Sequence, residues 1–502
     1  MNNLIKIIFF TIIAVTSLTT ANDLYAAGLS AGVAKVDVTH PHGLINDRSY
    51  VRALVIKNGE TTAVIVSVDA VAIGEIGKIS NDYLGNVRSQ IQKDLKIKPE
   101  HMLFNASHCH SVVCNEIEQL TVQAIKQAAS NMVPVTIGVG SGHEDRIMEN
   151  RRLLMADGTE IDVRHAYSLP PDAQVKEVGP VDPEIGILRL NRADGRVLAV
   201  VYQFACHPIQ GVPSGGNTAD ITGFSSSVIE DNLGEETVAL FIQGCGGDIN
   251  PVHYKDVDYP RDAEPLGNLL ALSTLKAVRK LECKADNRLA VINEVIELPG
   301  ANYSQRIASM EDEQTRLMNS LRGTTLNLKS FLPLAVKYKL SETYPTTHSF
   351  EYLHEKMIGK VNLKKLDIKN RNNINQYLKN IYTMEQLTRV NTNLRLLRKH
   401  QAEMAASGKR NVDVELVGLR IGDFVLLTFP GELTVQIGLN IKKASKHEKT
   451  FVSGYTNGYI YYAPTAKQLL NPGGAQEDCD CLLAPEWQKI FEDKALEMLG
   501  KL

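Results

Sequence analysis

Runs of β-branched and apolar residues alternate with stretches of helical spacing along most of this chain, and that alternation restricts its fold more than any other feature. Arg52 to Ile56 and Thr62 to Val68 flank Asn58-Gly59, a dipeptide that accepts the positive φ angles of a tight hairpin. Ser80 to Leu95 places Tyr83, Val87, Ile91 and Leu95 on one helical face. A short buried strand is predicted at His101 to Ala106 and a helix at Leu120 to Met132, which Pro134 ends because proline has no N–H to continue it. Val135 to Val139, Val197 to Phe204 and Val238 to Ile242 read as further strands. The order predicts an α/β fold, a layered sandwich of central β-sheets flanked by helices.

One stretch breaks the pattern. From about Ala301 to Gly408 the chain is rich in Lys, Asn, Leu and Glu and poor in Gly, which predicts a mostly helical insertion or lid near the mouth of a site. Val412 to Phe429 returns to β character, with Ile421-Gly422-Asp423 as a hairpin turn. The predicted organisation is therefore 1–26 as a signal peptide, 27–300 and 409–502 as two parts of one catalytic α/β domain, and 301–408 as the insertion. Gly138-Val139-Gly140-Ser141-Gly142 is expected to be a loop, since no fitting helix start and downstream acid accompany it.

Lys6 precedes an apolar run, Ile7 to Val15, that is too short to span a bilayer, and small residues follow up to Tyr25-Ala26-Ala27. That is the layout of a signal peptide cleaved near Ala21 or Ala26, so the chain is expected to be exported, to the periplasm or beyond. The mature portion has ordinary globular composition, with 44% hydrophobic and 22% charged residues. A formal net charge of -3 supplies no polybasic face and excludes nucleic acid as an expected partner. Seven scattered cysteines suggest no dense disulfide framework, and Cys479 and Cys481 are too close for an ordinary bridge to each other.

Residues able to do chemistry cluster where strands end. Ser107-His108-Cys109-His110-Ser111 follows one strand; if strand geometry persists, His108 and His110 face one side and Cys109 the other. Two imidazoles on one side suit a metal ligand with a substrate-contacting partner, or a structural pair. His207 ends another strand, just before Pro208, and taken alone is as well explained by structure. In Gly244-Cys245-Gly246-Gly247-Asp248-Ile249-Asn250-Pro251, Asp248 projects from a glycine turn and serves either as a base or as a turn cap. Glu432 follows Pro430-Gly431 at the start of an amphipathic helix, where a negative charge is favourable on structural grounds and also suits an anionic metal ligand. Asn457-Gly458-Tyr459-Ile460-Tyr461-Tyr462 is an aromatic loop, which packing alone would explain.

These segments together, Ser-His-x-His-Ser, Asn-Arg, Phe-Ala-x-His-Pro, Gly-Asp-x-x-Pro, Pro-Gly-Glu and Asn-x-Tyr-x-x-Tyr, resemble in order the catalytic domain of the neutral/alkaline non-lysosomal ceramidases. The resemblance runs from about Gly28 to Thr465 and is weak in the helical stretch. It implies a zinc amidohydrolase cleaving an N-acylated lipid into a sphingoid base and a fatty acid. It implies His108, His207, Glu432 and Tyr462 as zinc ligands, with Tyr459 as the less favoured tyrosine. It implies His110 and Arg151 as contacts to the substrate head or the developing oxyanion, and Asp248 as the acid that handles the attacking water. Three departures accompany it: Asn250 stands where the family carries a serine, Gly474 where it carries a further tyrosine, and the immunoglobulin-like C-terminal domain is expected to be absent.

Because an amide side chain cannot be a nucleophile, the expected reaction is direct attack by zinc-bound water, with Asn250 as a hydrogen-bonding group. Two alternatives remain: the same chemistry on a non-sphingolipid amide or ester, and an inactive binding protein of the same fold. The expected partners are a small-molecule or lipid substrate and, peripherally, a membrane surface, with no obligate protein partner.

Overall fold

The computed structural model describes residues 28–163, 170–211, 216–234, 236–341, 349–471 and 475–502. The predicted signal peptide and Gly474 lie outside the described residues. The chain divides into two compact units, Asn302–Glu403 and the remainder on either side of it. No described helix is long and apolar enough to cross a membrane.

The larger unit is built on two sheets. Eight strands, β1 (Ser30–Asp37), β2 (Tyr50–Asn58), β3 (Thr61–Val68), β4 (Met102–Ala106), β5 (Val133–His143), β6 (Glu184–Arg192), β7 (Val197–Phe204) and β8 (Val238–Gln243), form one sheet in the order β8-β7-β6-β5-β1-β2-β3-β4. Four more, β9 (Leu289–Pro299), β10 (Asn411–Ile421), β11 (Phe424–Thr428) and β12 (Thr450–Ser453), form the second in chain order. Asn58 pairs with Thr61 across the hairpin, with Gly59 at φ 44°.

Alternation along the strands sorts side chains between layers. On β3, Val64 and Val66 join a core with Tyr83, Val87 and Ile125 from α1 (Tyr83–Leu95) and α2 (Ile117–Ser130). Ala63 and Ile65 join Leu419, Phe424 and Phe451 of the second sheet. The helices α3 (Asp220–Leu233) and α4 (Glu264–Val278) contribute Ile221, Ile229 and Leu270 to a third core with Val200 and Tyr202 of β7. The result is the helix–sheet–sheet–helix sandwich that the α/β alternation predicts.

The glycine run is not a loop. Gly138, Gly140 and Gly142 lie on β5, where a Cβ at Gly140 would stand 2.5 Å from the Leu281 side chain and one at Gly138 3.1 Å from the Glu282 carbonyl oxygen. The glycines let the chain after α4 lie directly on the strand.

The smaller unit is helical: α5 (Ser304–Ser320), α6 (Leu328–Leu340), α7 (Phe350–Met357) and most of α8 (Asn362–Ser407).

Three parallel strand pairs matter for function: β3 with β4, β7 with β8, and β11 with β12. Parallel neighbours need a crossover, and α1, α3 and α9 (Val435–Ala444) supply them. Asn105 of β4 ties the carboxyl ends of these pairs together. Its Oδ1 accepts from the Gln243 amide at 2.8 Å, and its Nδ2 donates to Ser453 Oγ, Gly454 O and Thr456 Oγ1 at 2.9–3.0 Å. Asn105→Ala leaves the buried Gln243 backbone N–H without its acceptor and removes the donor shared by Ser453, Gly454 and Thr456, and is expected to cost about 2–4 kcal/mol. A lower denaturant midpoint at unchanged slope is the expected reading.

Candidate metal centre

Each of the three parallel pairs contributes to one cluster at its carboxyl end, the edge where open α/β sheets present ligands. His108 follows β4, His207 follows β7, and Glu432 lies between β11 and α9. All three are buried, and one nitrogen or oxygen from each lies within 4.8 Å of the others. His207 Nε2 is 3.1 Å from Glu432 Oε2 and His108 Nε2 is 3.5 Å from Glu432 Oε1.

The partner strand of each pair orients the imidazole. His108 Nδ1 faces the Val71 carbonyl, just after β3, at 2.6 Å. His207 Nδ1 faces the Ile249 carbonyl, after β8, at 3.0 Å. A carbonyl only accepts, so both Nδ1 atoms carry the proton and both Nε2 lone pairs point at Glu432. Burial lowers both imidazole pKa values, that of His108 to about 4, so both rings are neutral near pH 7. Burial opposes ionisation of Glu432, while the Tyr459 and Tyr455 hydroxyls, which donate to its oxygens, favour the carboxylate.

Two lone pairs and a carboxylate thus converge in a buried space. Such a donor set fits a divalent cation, and His₂–carboxylate is a set that catalytic zinc uses.

Phenols complete the surroundings. Tyr459 Oη donates to Glu432 Oε1 at 2.5 Å and Tyr455 Oη to Oε2 at 3.2 Å. Tyr462 is the register partner of Glu432 in a short parallel pairing, and its hydroxyl lies 3.3 Å from Arg151 Nη2. His108, Tyr455, Asn457 and Tyr461 all have positive φ, a strained backbone that surrounding structure must impose. Because His108 adopts φ 67° after β4 has ended, strand alternation does not continue through the motif. Cys109 nonetheless lies outside the cluster, buried beside Ser107. Cys109→Ala is expected to leave metal content unchanged in elemental analysis; metal loss from a folded variant would contradict this placement. Cys109, Cys114, Cys206, Cys245 and Cys283 form no disulfide.

Beside the cluster, Arg151 is buried and held on several sides. Its Nε donates to Glu477 Oε1 at 2.7 Å, Nη1 to Asn250 Oδ1 at 2.9 Å and Nη2 to the Gly247 carbonyl at 2.5 Å. Accepting from Arg151 fixes the Asn250 amide, so its NH₂ group faces away from the guanidinium. Gly247 permits the close approach: an added Cβ would lie 2.5 Å from the Glu432 carbonyl oxygen. The His110 ring is partly exposed, 5.2 Å from that of His108.

Asp248, the expected water-handling acid, is buried with both carboxylate oxygens hydrogen-bonded. Its Oδ1 accepts from the Val435 amide at 2.8 Å, capping α9, and its Oδ2 accepts from Asn150 at 3.1 Å. It is not a member of the His–His–Glu cluster. Burial pushes its pKa up, against those two hydrogen bonds and the charge of Arg152.

Sequence reasoning missed Tyr455 and Glu477. The available signal for Glu477 was the acidic doublet Glu477-Asp478, which answers Arg151-Arg152: Arg152 pairs with Asp478 as Arg151 does with Glu477.

No protein-family model matches the chain, and no curated protein matches it either. Solved structures do. A ceramidase complexed with C2 superposes with a TM-score of 0.60 at 15% identity, over 94% of this chain and 75% of that one. The neutral ceramidase from Pseudomonas aeruginosa gives 0.59 at 16% identity, over 95% and 75%. This chain has the neutral-ceramidase fold. Within that ceramidase-like fold the His108–His207–Glu432 group is a buried site able to hold a metal ion.

Proposed function

We propose that the chain is an exported zinc-dependent hydrolase that cleaves the amide bond of a ceramide-like N-acylated lipid. The convergence of His108, His207 and Glu432 beside the clamped Arg151–Asn250 pair, on this fold, carries the reading. These three residues would hold the zinc, with Tyr462 as the further ligand that the resemblance implies. The chemistry a bound zinc supplies is polarisation of the amide carbonyl and easier ionisation of a water.

The protein's own groups do the rest. Arg151 and the Asn250 NH₂ donate hydrogen bonds toward the oxygen that gains charge as the carbonyl is attacked. His110, partly exposed, takes a proton from the attacking water at a ring nitrogen and returns it to the leaving amine as the C–N bond breaks. Asp248 positions the start of α9 and, through Asn150, the Arg151 segment. With asparagine at position 250, no acyl group is carried on that side chain.

Metal analysis with turnover on N-acyl sphingoid bases and simple N-acyl amides tests the proposal. About one zinc per chain, loss of turnover on chelation and recovery with zinc are expected. Absence of bound metal in folded protein sinks the reading. Because Asn250 replaces the expected serine, one second reading is kept: turnover of simple amides or esters with none of N-acyl sphingoid bases would establish a non-sphingolipid hydrolase.

A further inference from the structure

We propose that the outward face of α6 and α7 docks the protein on an anionic lipid bilayer surface. This goes beyond the catalytic reading and does not depend on it.

Helix α6 has two apolar faces. Phe331 and Tyr338 are buried with Ile374 of α8, and Phe331 stacks on Tyr377 with ring centroids 4.5 Å apart. The opposite side carries Leu328, Leu332, Val336 and Leu340 at intervals of four, all exposed, Leu340 to 83%. That spacing makes a continuous stripe along the helix. Helix α7 repeats the arrangement, with Phe350, Leu353 and Met357 at i, i+3 and i+7 exposed to 77%, 44% and 82%. The hydroxyls of Tyr338 on α6 and Tyr352 near the start of α7 both donate to Asp367 Oδ1 on α8, at 3.1 and 2.7 Å. The stripes are therefore held by one partly buried anchor, and an exposed apolar patch on a fixed scaffold marks an interaction surface.

Charge selects the occupant. Residues 327–369 contain eight lysines and four acidic residues, a net +4 in a chain whose formal charge is -3. Lys329, Lys337 and Lys339 flank the α6 stripe and Lys356 and Lys360 the α7 stripe, all exposed. Lysine beside exposed leucine is the pattern of a helix lying in a headgroup layer, where the alkyl stem follows the apolar face and the ammonium reaches phosphate. Protein interfaces are depleted of lysine and enriched in arginine at their cores, and this segment has eight lysines and no arginine. A second copy would set positive charge against positive charge.

The test uses the full chain and vesicles of phosphatidylcholine, with and without phosphatidylglycerol, read by flotation. Binding is expected to the anionic vesicles and to weaken with salt. Leu332→Asp with Met357→Asp should lower it at least tenfold. Lys337→Gln, Lys339→Gln and Lys356→Gln should reduce it by about fivefold for each lysine removed. Helix content by circular dichroism and metal content should be unchanged in every variant, since all these side chains are exposed and outside the metal cluster. Absence of vesicle binding by the natural chain overturns the proposal, as does binding insensitive to both sets of changes. A dimer in solution that the aspartate pair dissociates, without vesicle binding, would instead assign the face to a second copy.

Discussion

Glu432→Gln is expected to abolish turnover while leaving the metal-free protein as stable as before, or more so. The carboxylate faces two imidazole nitrogens whose lone pairs point toward it, because Val71 and Ile249 take both Nδ1 protons. Without a cation this is an arrangement of electron-rich atoms in a buried site, held against electrostatics by the rest of the fold. A glutamine is nearly isosteric. It keeps an oxygen to accept from Tyr459 or Tyr455, and its NH₂ can donate to His207 Nε2, now 3.1 Å from Glu432 Oε2. The metal-free variant should therefore gain roughly 1–2 kcal/mol. It loses the one anionic ligand, so zinc content should fall to background and kcat/KM by on the order of 10⁴ or more, roughly 5 kcal/mol in transition-state stabilisation. Elemental analysis, thermal unfolding with and without chelator, and steady-state kinetics separate these effects. Full zinc content in Glu432→Gln would remove the carboxylate from the ligand set; a large stability loss without metal would show that the cluster is held for structural reasons.

The same cluster shows what a reading of the sequence can and cannot reach. Period-two and period-3.6 patterns are local, so the hairpin at Asn58-Gly59, the helix from Tyr83 and the β10–β11 turn at Gly422 were legible from neighbouring residues alone. The two acids were not. Asp248 in a glycine turn and Glu432 at the start of a helix have each a structural and a chemical explanation, and only long-range packing decides. In the fold Asp248 caps α9 and Glu432 faces the histidines, so the acid with the evident helix-terminal position is not the one that serves it. Gly138 and Gly140 look like a loop because their reason for being glycine is Leu281 and Glu282, more than a hundred residues away in sequence. Tyr455 and Glu477 escaped for the same reason: each is defined by a partner, Glu432 or Arg151, that no spacing rule connects to it.

The second large effect is expected at Arg151, and it should divide into stability and catalysis. The guanidinium is buried, and three of its nitrogens are bound by Glu477, Asn250 and the Gly247 carbonyl. Arg151→Met puts an apolar side chain in place of the cation and leaves the Glu477 carboxylate buried beside the remaining charge of Arg152, 4.0 Å from its other oxygen. Breaking a buried pair from one side typically costs about 3–5 kcal/mol, and that is the expected loss in unfolding free energy. Glu477→Gln in the Arg151→Met background should recover part of it, since the orphaned charge is then gone; absence of recovery would mean that Arg151 stabilises the fold by packing alone. Catalysis is read separately, on folded protein with zinc content verified. Loss of an oxyanion donor costs on the order of 10²–10³ in kcat with little change in KM. Asn250→Ala should fall in the lower part of that range, because it removes one donor and loosens Arg151 without deleting it. Arg151→Lys should not restore the rate, because an ammonium cannot keep the Glu477, Asn250 and Gly247 contacts that aim the planar fork. Full kcat in Arg151→Lys would show that position 151 supplies only positive charge, and the orienting role of Asn250 and Glu477 would fall with it.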